Sequence, residues 1–230
     1  MTPPGNDRTA LIVGASRGLG LGLVTELRSR GWKVIGTVRD EAGAQRVEAA
    51  RAKPERLDTA DAGSLAELSL RLSGEIFDLV FVNAGIKGAA HQDPARATTA
   101  EIAELFQINS VAPVGLAHEF LSRVREGAGV IAFMSSDLGS VARTNDAYIP
   151  LYRASKAALN SLIRSFAAGL GGRRVTVLAI HPGWVRTDMG GEAAPVGVAE
   201  SVRGVVDVVE ARSGTLRHAF VDYRGVELDW

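Results

Sequence analysis

The chain passes from its first apolar run into a segment of helical periodicity through Val13-Gly14-Ala15-Ser16-Arg17-Gly18-Leu19-Gly20, and this stretch decides the fold. Glycine has no Cβ, so these glycines permit a tight turn and a close approach of backbone to a ligand. The helix that follows directs the positive end of its dipole at the same place, which favours an anion. The pattern predicts a pyrophosphate-binding turn after the first strand; a plain strand-to-helix turn is the alternative.

Short β-branched runs alternate with longer amphipathic segments along the rest of the chain. The predicted strands are Ala10–Val13, Lys33–Val38, Phe77–Val82, Gly129–Met134, Val175–Ile180 and Ala219–Val221. The predicted helices are Leu19–Arg30, Ser64–Leu72, Thr99–Val124, Tyr152–Leu170 and Val198–Ala211. Strands that are apolar throughout and separated by helices indicate a parallel sheet covered on both faces. We therefore predict an α/β fold with a single doubly wound Rossmann-type domain over residues 1–230, a mostly parallel sheet of about seven strands flanked by helices, and a flexible tail at residues 1–8.

The composition bounds the class of protein. Of the 230 residues, 46% are hydrophobic and 23% are charged, which suits one folded domain. Lys+Arg and Asp+Glu both number 26, so the net charge favours neither a nucleic acid nor an anionic membrane as partner. The absence of cysteine excludes disulfides and thiol catalysis, and the four histidines show no ligand spacing, so no metal site is predicted. The start lacks the apolar run of a signal peptide, and we expect a cytoplasmic protein.

The end of the second predicted strand indicates which dinucleotide is bound. An acidic residue there would bond the ribose 2′-hydroxyl of NAD. Here the strand ends in Val38-Arg39-Asp40, and Arg39 offers a planar fork of donors that suits a 2′-phosphate, a group that Arg17 is also able to approach. This favours NADP(H) over NAD(H). The alternative is a solvated strand end at which Asp40 neutralises Arg39.

A phenol and an ammonium lie four residues apart in Tyr152-Arg153-Ala154-Ser155-Lys156. Residues i and i+4 of a helix share one face. A phenol titrates near ~10, and a fixed cation beside it favours the phenolate and lowers that pKa. The pair is therefore a candidate for acid–base chemistry, although Tyr-x-x-x-Lys also arises by chance.

Polar side chains at three other places are candidates for the same site. Asn83-Ala84-Gly85 ends one predicted strand with small residues that let backbone lie against a flat ligand. Ser135 and Ser136 end the next, at the carboxyl edge where open α/β sheets bind ligands. Asn109 lies inside the predicted helix Thr99–Val124, where asparagine is unusual because its side chain competes for backbone bonds. Either Asn109 satisfies a buried kink or it holds a water.

The segment after the fifth predicted strand is His181-Pro182-Gly183-Trp184-Val185-Arg186-Thr187-Asp188-Met189. Pro-Gly predicts a turn at the same edge, and Thr187 brings a hydroxyl to it. A histidine at a strand end just before proline is more often a packing or turn residue than a general base. We therefore assign His181 no catalytic role.

Taken in order, these motifs resemble the short-chain dehydrogenase/reductase family over nearly the whole chain. The set is Gly14-x-x-x-Gly18-x-Gly20, Asp58, Asn83-Ala84-Gly85, Asn109, Ser136, Tyr152-x-x-x-Lys156 and Pro182-Gly183. Within the family, the stretch from His181 to Gly191 and the ending from Phe220 to Trp230 are most similar to the C-factor and Sniffer-like carbonyl reductases.

The resemblance implies roles for the site residues. Tyr152 would be the general acid, and Lys156 would lower its pKa and bind the nicotinamide ribose. Ser136 would hold the substrate oxygen, and Asn109 would anchor a water that passes protons to Lys156. Asp58 would accept from the adenine amino group. The residues expected to bind the cofactor are Gly14, Ser16, Arg17, Gly18, Leu19, Gly20, Arg39, Asp58, Asn83, Ala84, Gly85, Tyr152, Lys156, Pro182, Gly183, Val185 and Thr187.

Two segments depart from the family pattern. The loop Asp137–Leu151 is long, so Ser135 remains an alternative to Ser136 as the catalytic serine. The segment from Gly190 to Ala199 is short, which predicts an open and permissive substrate site.

The leading functional hypothesis is an NADPH-dependent reductase of small aldehydes or ketones, with the reverse oxidation as a second direction. The alternative is an NADP(H)-binding signalling or regulatory protein with little turnover. We also expect a homodimer or homotetramer, because in the family the helices corresponding to Thr99–Val124 and Tyr152–Leu170 pair across a two-fold axis. Small residues that would permit such an approach, or would instead pack onto the sheet, are Ala154, Ala157, Ala158, Ala167 and Ala168.

Overall fold

A parallel sheet runs through the centre of the fold. The computed structural model describes residues 8–230, the side chain of Ala62 excepted. Within this range the seven strands are β1 (Thr9–Val13), β2 (Lys33–Val38), β3 (Lys53–Arg56), β4 (Leu79–Val82), β5 (Val130–Met134), β6 (Thr176–His181) and β7 (His218–Asp222). They pair in parallel in the order β3-β2-β1-β4-β5-β6-β7. The order reverses between β1 and β4, which opens a crevice at the carboxyl ends of these two strands.

Helices cover both faces of the sheet. They are α1 (Gly18–Ser29), α2 (Glu41–Ala49), α3 (Ala62–Arg71), α4 (Thr99–Phe106), α5 (Ala112–Phe120), α6 (Pro150–Ala168) and α7 (Val198–Arg212). Side chains of α1, α2 and α7 pack with Ala10 and Ile12 of β1, whereas those of α3, α5 and α6 pack with Leu11 and Val13, because successive strand residues face opposite sides. The predicted doubly wound α/β domain is confirmed. Across residues 8–230, we find no helix with the length and apolar character needed to cross a membrane.

Two elements escape the sequence-based prediction. Strand β3 lies at the sheet edge, is made of Lys-Pro-Glu-Arg and is at most half-buried, so it lacks an apolar signal; an edge also tolerates Pro54. Helix α2 is short, polar and contains Gly43. The other predicted elements begin and end within about two residues of the observed ones, which is the usual uncertainty at element ends.

The predicted helix Thr99–Val124 is interrupted. Helix α4 ends at Phe106, residues Gln107–Val111 form a π-helical turn, and α5 follows. Pro113 explains the break, because it has no N–H to donate to the carbonyl four residues earlier, that of Asn109. The regular pattern of helical hydrogen bonds is therefore interrupted at Asn109, the residue that is unusual in the sequence pattern.

The predicted flexible tail falls mostly outside the described residues, which begin at Arg8. Arg8 itself makes two side-chain contacts, and the flexibility of the tail stays a prediction. Its Nη1 lies 2.8 Å from Glu210 Oε1, and its guanidinium carbon lies 4.3 Å from the centre of the Trp32 ring. An ion pair and a cation–π contact thus hold this residue against the fold.

Candidate active site

The glycine-rich turn lies at the carboxyl edge of the sheet, where its backbone packs closely against the backbone that follows β4. Gly14 has a φ of +82°, and a Cβ there would lie 2.9 Å from the Ala84 backbone. A Cβ on Gly20 would overlap the Gly14 carbonyl oxygen. The turn leads directly into α1, which begins at Gly18, and Leu19 packs against the core. Positions 14 and 20 therefore require glycine, and the ends of β1 and β4 meet at the start of a helix.

Hydrogen bonds tie this turn to the neighbouring strands. Asn83 Nδ2 donates to Gly14 O at 2.9 Å, and Gly14 N donates to Thr37 Oγ1 at 3.0 Å. The backbone N–H groups of Asn83 and Ala84 both donate to Val13 O. Asn83 and Ala84 thus fix the conformation of the turn through hydrogen bonds to its backbone carbonyl groups. Thr37, buried in β2, adds a support for which the sequence carries no motif.

The end of β2 presents a cation. Arg39 is exposed, and its guanidinium makes no hydrogen bond or ion pair within the described part of the chain. Asp40 does not neutralise it; the Asp40 carboxylate accepts from Gly43 N at 2.7 Å and caps α2. Arg46 Nε donates to Ser16 O at 2.7 Å and brings a second cation to the glycine turn. Arg46 was not predicted because it lies on the helix that the sequence pattern missed.

Arg17 has a partner within the protein, and its predicted approach to the cofactor stays a prediction. Its guanidinium forms an exposed ion pair with the carboxylate of Asp188, in the segment after β6. A Cβ on Gly18 would lie 3.7 Å from Thr187 Cγ2, so the glycine turn and this segment are neighbours. Arg17 therefore links the glycine turn to the segment after β6, whereas Arg39 follows the end of β2 and Arg46 contacts the glycine turn from α2.

The segment after β6 is held in place by hydrogen bonds within itself and to α7. Pro182 O accepts from Ser201 Oγ at 2.6 Å, and Gly183 has a φ of +85°. Thr187 Oγ1 lies 3.4 Å from Val185 O, to which it donates. These contacts bring the predicted Pro182, Gly183, Val185 and Thr187 to the same edge as the glycine turn.

In the structure, the stretch from Gly190 to Ala199 leads directly from the segment after β6 into α7. Val196 N donates to Trp184 O at 3.2 Å, and Arg186 N donates to Val196 O at 2.9 Å. The chain then enters α7 at Val198. Within the described residues, no extra helix covers this side of the crevice.

Asp58 lies in the turn after β3, at the far end of the crevice. Its Oδ1 accepts from Ala60 N at 3.0 Å, and its backbone N donates to Ser64 Oγ at 2.9 Å. The side chain is exposed. Its predicted bond to adenine stays a prediction.

Asn109 is fully buried in the π-helical turn, and both polar atoms of its side-chain amide are hydrogen-bonded within the protein. Its Nδ2 donates to Ile86 O at 2.8 Å and to Ser155 Oγ at 3.0 Å, and its Oδ1 accepts from Ile86 N at 2.8 Å. Ser155 Oγ donates in turn to Tyr152 O at 2.7 Å. The kink therefore joins the chain after β4 to the first turns of α6.

The two serines after β5 point to different neighbours. Ser135 Oγ donates to Asn160 Oδ1 at 2.6 Å in a fully buried pair. Ser136 Oγ accepts from Leu138 N at 3.2 Å and caps a short helical turn, Asp137–Gly139. Because Ser135 is engaged with α6, Ser136 is the better candidate to bind a ligand.

Tyr152 and Lys156 stand on the first two turns of α6. Lys156 Nζ lies 5.9 Å from the centre of the Tyr152 ring and donates to Met134 O at 2.9 Å. A Cβ on Gly85 would lie 3.6 Å from that Nζ and 3.4 Å from Asn109 Oδ1. The ends of β4 and β5, the π-helical turn and α6 thus converge on one place.

Burial sets the pKa values of this pair. Loss of hydration lowers the pKa of Lys156 to about 8. Although part of the Tyr152 ring is accessible, burial raises the pKa of its phenol, and the charge of Asp137 raises it further. The expected lowering of the Tyr152 pKa by Lys156 is therefore not met among the protein's own groups. The ammonium is bonded to Met134 O and does not offset the desolvation of the phenol.

Asp137 and His181 flank the pair. Asp137 Oδ1 lies 3.4 Å from Ser136 Oγ, which donates to it, and 3.5 Å from His181 Nδ1. Burial lowers the pKa of His181, and the carboxylates of Asp137 and Asp222 oppose that shift. His181 packs beside the site, and its lack of a catalytic role stays a prediction.

Gln92 contacts the candidate acid without belonging to any motif. It is 6% exposed, and its Oε1 accepts from Tyr152 N at 3.0 Å. An open cleft of about 460 Å³ lies beside it, lined by residues 87, 90–94 and 147–150. Neither Tyr152 nor Lys156 lines that cleft, so we assign it no part in the chemistry.

A glycine turn at the switch point of a doubly wound sheet is how Rossmann-type proteins hold a dinucleotide, and this chain has that turn between β1 and α1. The model of the family described as short chain dehydrogenase matches residues 8–195, which is most of the chain. The chain therefore belongs to the short-chain dehydrogenase family.

Known relatives agree with this assignment. C-signal of Myxococcus xanthus is 36% identical over 156 residues, which cover 66% of this chain and 92% of that protein. The carbonyl reductase from Pseudomonas aeruginosa PAO1 in complex with NADP superposes with a TM-score of 0.90 at 41% identity, over 97% of this chain and 100% of that one. Carbonyl reductase Sniffer of D. melanogaster gives 0.85 at 30% identity, again over 97% and 100%. The predicted family resemblance, including its Sniffer-like character, is confirmed.

Proposed function

We propose that this protein is an NADP(H)-dependent oxidoreductase that reduces the carbonyl group of an aldehyde or ketone to an alcohol, or catalyses the reverse. The proposal rests on one observation: Lys156 Nζ and Asn109 Oδ1 both lie close to the Gly85 backbone, next to the Tyr152 ring. The similarity to a protein named carbonyl reductase, solved with NADP, supports the same activity.

The residues at the crevice fit NADP(H). The glycine turn, in which Gly14 and Gly20 have no room for a Cβ, leads into the start of α1, where the helix dipole favours an anion. The guanidinium of Arg39 has no internal partner in residues 8–230. Arg39 and Arg46 would bind the 2′-phosphate, which NAD(H) lacks. Asp58 would meet the adenine, and Thr187 and the Val185 backbone the carboxamide. The bound cofactor supplies the hydride, and the protein positions the groups.

In this mechanism Tyr152 donates the proton. Its raised pKa keeps the phenol protonated at neutral pH, as a general acid in reduction requires. Ser136 Oγ would hold the substrate oxygen. Lys156, with a pKa of about 8, exchanges protons near neutral pH and would resupply the phenol while binding the nicotinamide ribose. Asn109 keeps α6 and the chain after β4 together around these groups.

The substrate side supports small and varied carbonyl compounds. The short return from Trp184 to Val196 leaves the crevice without an added helix among residues 190–199. Trp184 and Met189 of this segment are 55% and 44% exposed and offer apolar surface there. An open surface of this kind would accept different substituents on the carbonyl carbon.

The test is turnover on a panel of aldehydes and ketones with NADPH and NADH side by side. We expect NADPH to be oxidised, and NADH to be used with a KM at least about tenfold higher, because one lost charged contact is worth about 1.4 kcal/mol or more. Arg39→Ala should raise the KM for NADPH and leave that for NADH unchanged. Equal KM values for both cofactors in both proteins would contradict the assignment of the 2′-phosphate to Arg39.

A second candidate function is an NADP(H)-binding signalling or regulatory protein with little turnover. The similarity to C-signal favours it. The complete set of Asn109, Ser136, Tyr152 and Lys156 speaks against it, because a protein without turnover has no need of a paired phenol and ammonium. Tight NADP(H) binding with background turnover across the whole panel would favour the second candidate.

We further propose a cytoplasmic homodimer or homotetramer that forms through α4, α5 and α6. Ile102 on α4, Val111 in the π-helical turn and Leu162 on α6 are 41%, 52% and 36% exposed. Ala154 and Ala168 are also exposed on α6. Exposed apolar and small residues of this kind suit a helix–helix interface. A monomer in sedimentation at micromolar concentration would contradict the proposal.

A further inference from the structure

Helix α6, which carries Tyr152, begins without a cap of its own. The first N–H groups of a helix have no partner inside it and need one from a side chain. The residue before the helix is Ile149, whose apolar side chain makes no capping bond and whose φ of 39° is unusual for a β-branched residue. Pro150, the first helical residue, has no N–H. The N–H of Tyr152, the third, needs an acceptor from elsewhere.

Gln92 supplies that acceptor from the loop between β4 and α4. Its Oε1 accepts from Tyr152 N at 3.0 Å, and its Nε2 donates to Lys87 O and Ala89 O, each at 2.8 Å. Gln92 is 6% exposed, has a φ of 52°, and uses both donors of its amide. Gln92, 60 positions from Tyr152 in the chain, therefore joins the start of α6 to the loop between β4 and α4.

We propose that Gln92 is a positioning residue, which holds the first turn of α6 so that the Tyr152 phenol meets the substrate. The inference rests on the proposed function. Side chains on a helix lean toward its N-terminus, so a shift of the first turn carries the phenol with it. A misplacement of about 1 Å at a reacting group costs up to about 10²-fold in rate. A looser turn also admits water to the phenol and removes the burial that raises its pKa.

The experiment compares Gln92→Met with Gln45→Met, the same change at an exposed position of α2. Three readouts apply: amide exchange of Tyr152, an NMR titration of the three tyrosines labelled at Cζ, and kcat with KM for NADPH. In Gln92→Met we expect the Tyr152 amide to exchange at least about tenfold faster, as a lost bond predicts. Its phenol should titrate closer to ~10, and kcat should fall about 10–100-fold at an unchanged KM. Gln45→Met should match wild type in all three.

Gln92→Glu serves as the conservative variant, and as the test protein if Gln92→Met does not fold. Its carboxylate keeps an acceptor for Tyr152 N but loses the donors to Lys87 O and Ala89 O. Protonation returns one donor, so its kcat relative to wild type should rise as pH falls.

Unchanged exchange and titration of Tyr152 in Gln92→Met would overturn the inference. So would a loss of kcat that matches a loss in the fraction of protein able to bind NADPH, because a purely structural role predicts that result. If wild type turns over nothing on the panel, the proposed function fails, whereas exchange and titration still decide the role of Gln92.

Discussion

The buried ammonium of Lys156 should cost the protein stability. The residue is 3% exposed, and its pKa falls from 10.5 to about 8 on folding. The difference, 10.5 minus about 8, corresponds to about 3 kcal/mol at roughly 1.36 kcal/mol per pKa unit. Below pH 8 this destabilisation is fully present. Between pH 8 and 10.5 the unfolded chain binds more protons at this group than the folded one, so the free energy of unfolding rises with pH.

Lys156→Met removes the charge and keeps a chain of similar volume. We expect it to abolish turnover and yet raise the free energy of unfolding at pH 7 by about 1–2 kcal/mol, because leaving Met134 O without its bond offsets about 1–2 kcal/mol of the gain. Urea unfolding at pH 7, 8, 9 and 10 measures this, and the wild-type values should approach those of the variant as pH rises. Lys87→Met, at an exposed lysine, is the control and should show no such convergence. A Lys156→Met protein that is less stable than wild type at every pH, by a constant amount, would refute the reasoning.

Two further substitutions test the surroundings of the site. Asp137→Asn removes the second cause of the raised Tyr152 pKa, so the phenol should titrate at a lower pH than in wild type. As pH is increased, the rate of reduction should therefore begin to fall at a lower pH than in wild type. An unchanged NMR titration would show that this carboxylate does not act on the phenol. Gly20→Ala places a Cβ against the Gly14 carbonyl oxygen, so thermal unfolding should report a loss of about 1–3 kcal/mol together with weaker NADP(H) binding. A Gly20→Ala protein with wild-type stability and affinity would contradict the close approach.

The fold was predictable because its signals are local. Apolar strands such as Phe77–Val82 and the glycines of the first turn report burial and backbone conformation at their own positions. Strand β3 and helix α2 carry no such signal: one is a polar edge strand and the other a short polar helix. The break at Asn109 was visible as an amide inside a helical pattern, and Pro113 accounts for it.

The site was predictable in residue type but not in contacts. The choice between Ser135 and Ser136 depends on which face of the strand end each occupies, and the bond of Ser135 to Asn160 becomes visible only in three dimensions. Gln92 contacts Tyr152 across 60 residues of chain, so no local pattern could indicate it.

Spacing also misled the expectation about acidity. Tyr152 and Lys156 share a helix face as predicted, yet burial of both groups outweighs their mutual attraction. The depth of a group below the surface is a property of the packed fold, which motif spacing does not report.

The rate of hydride transfer in a single turnover tests the central claim most directly. Enzyme preloaded with NADPH is mixed with the best carbonyl of the panel, and wild type is compared with Tyr152→Phe and with Tyr148→Phe, a matched change at a 59% exposed tyrosine. If Tyr152 is the proton donor, Tyr152→Phe should bind NADPH normally while NADPH oxidation slows about 10²–10⁴-fold, and Tyr148→Phe should match wild type. Oxidation of NADPH by Tyr152→Phe at the wild-type rate would contradict the account.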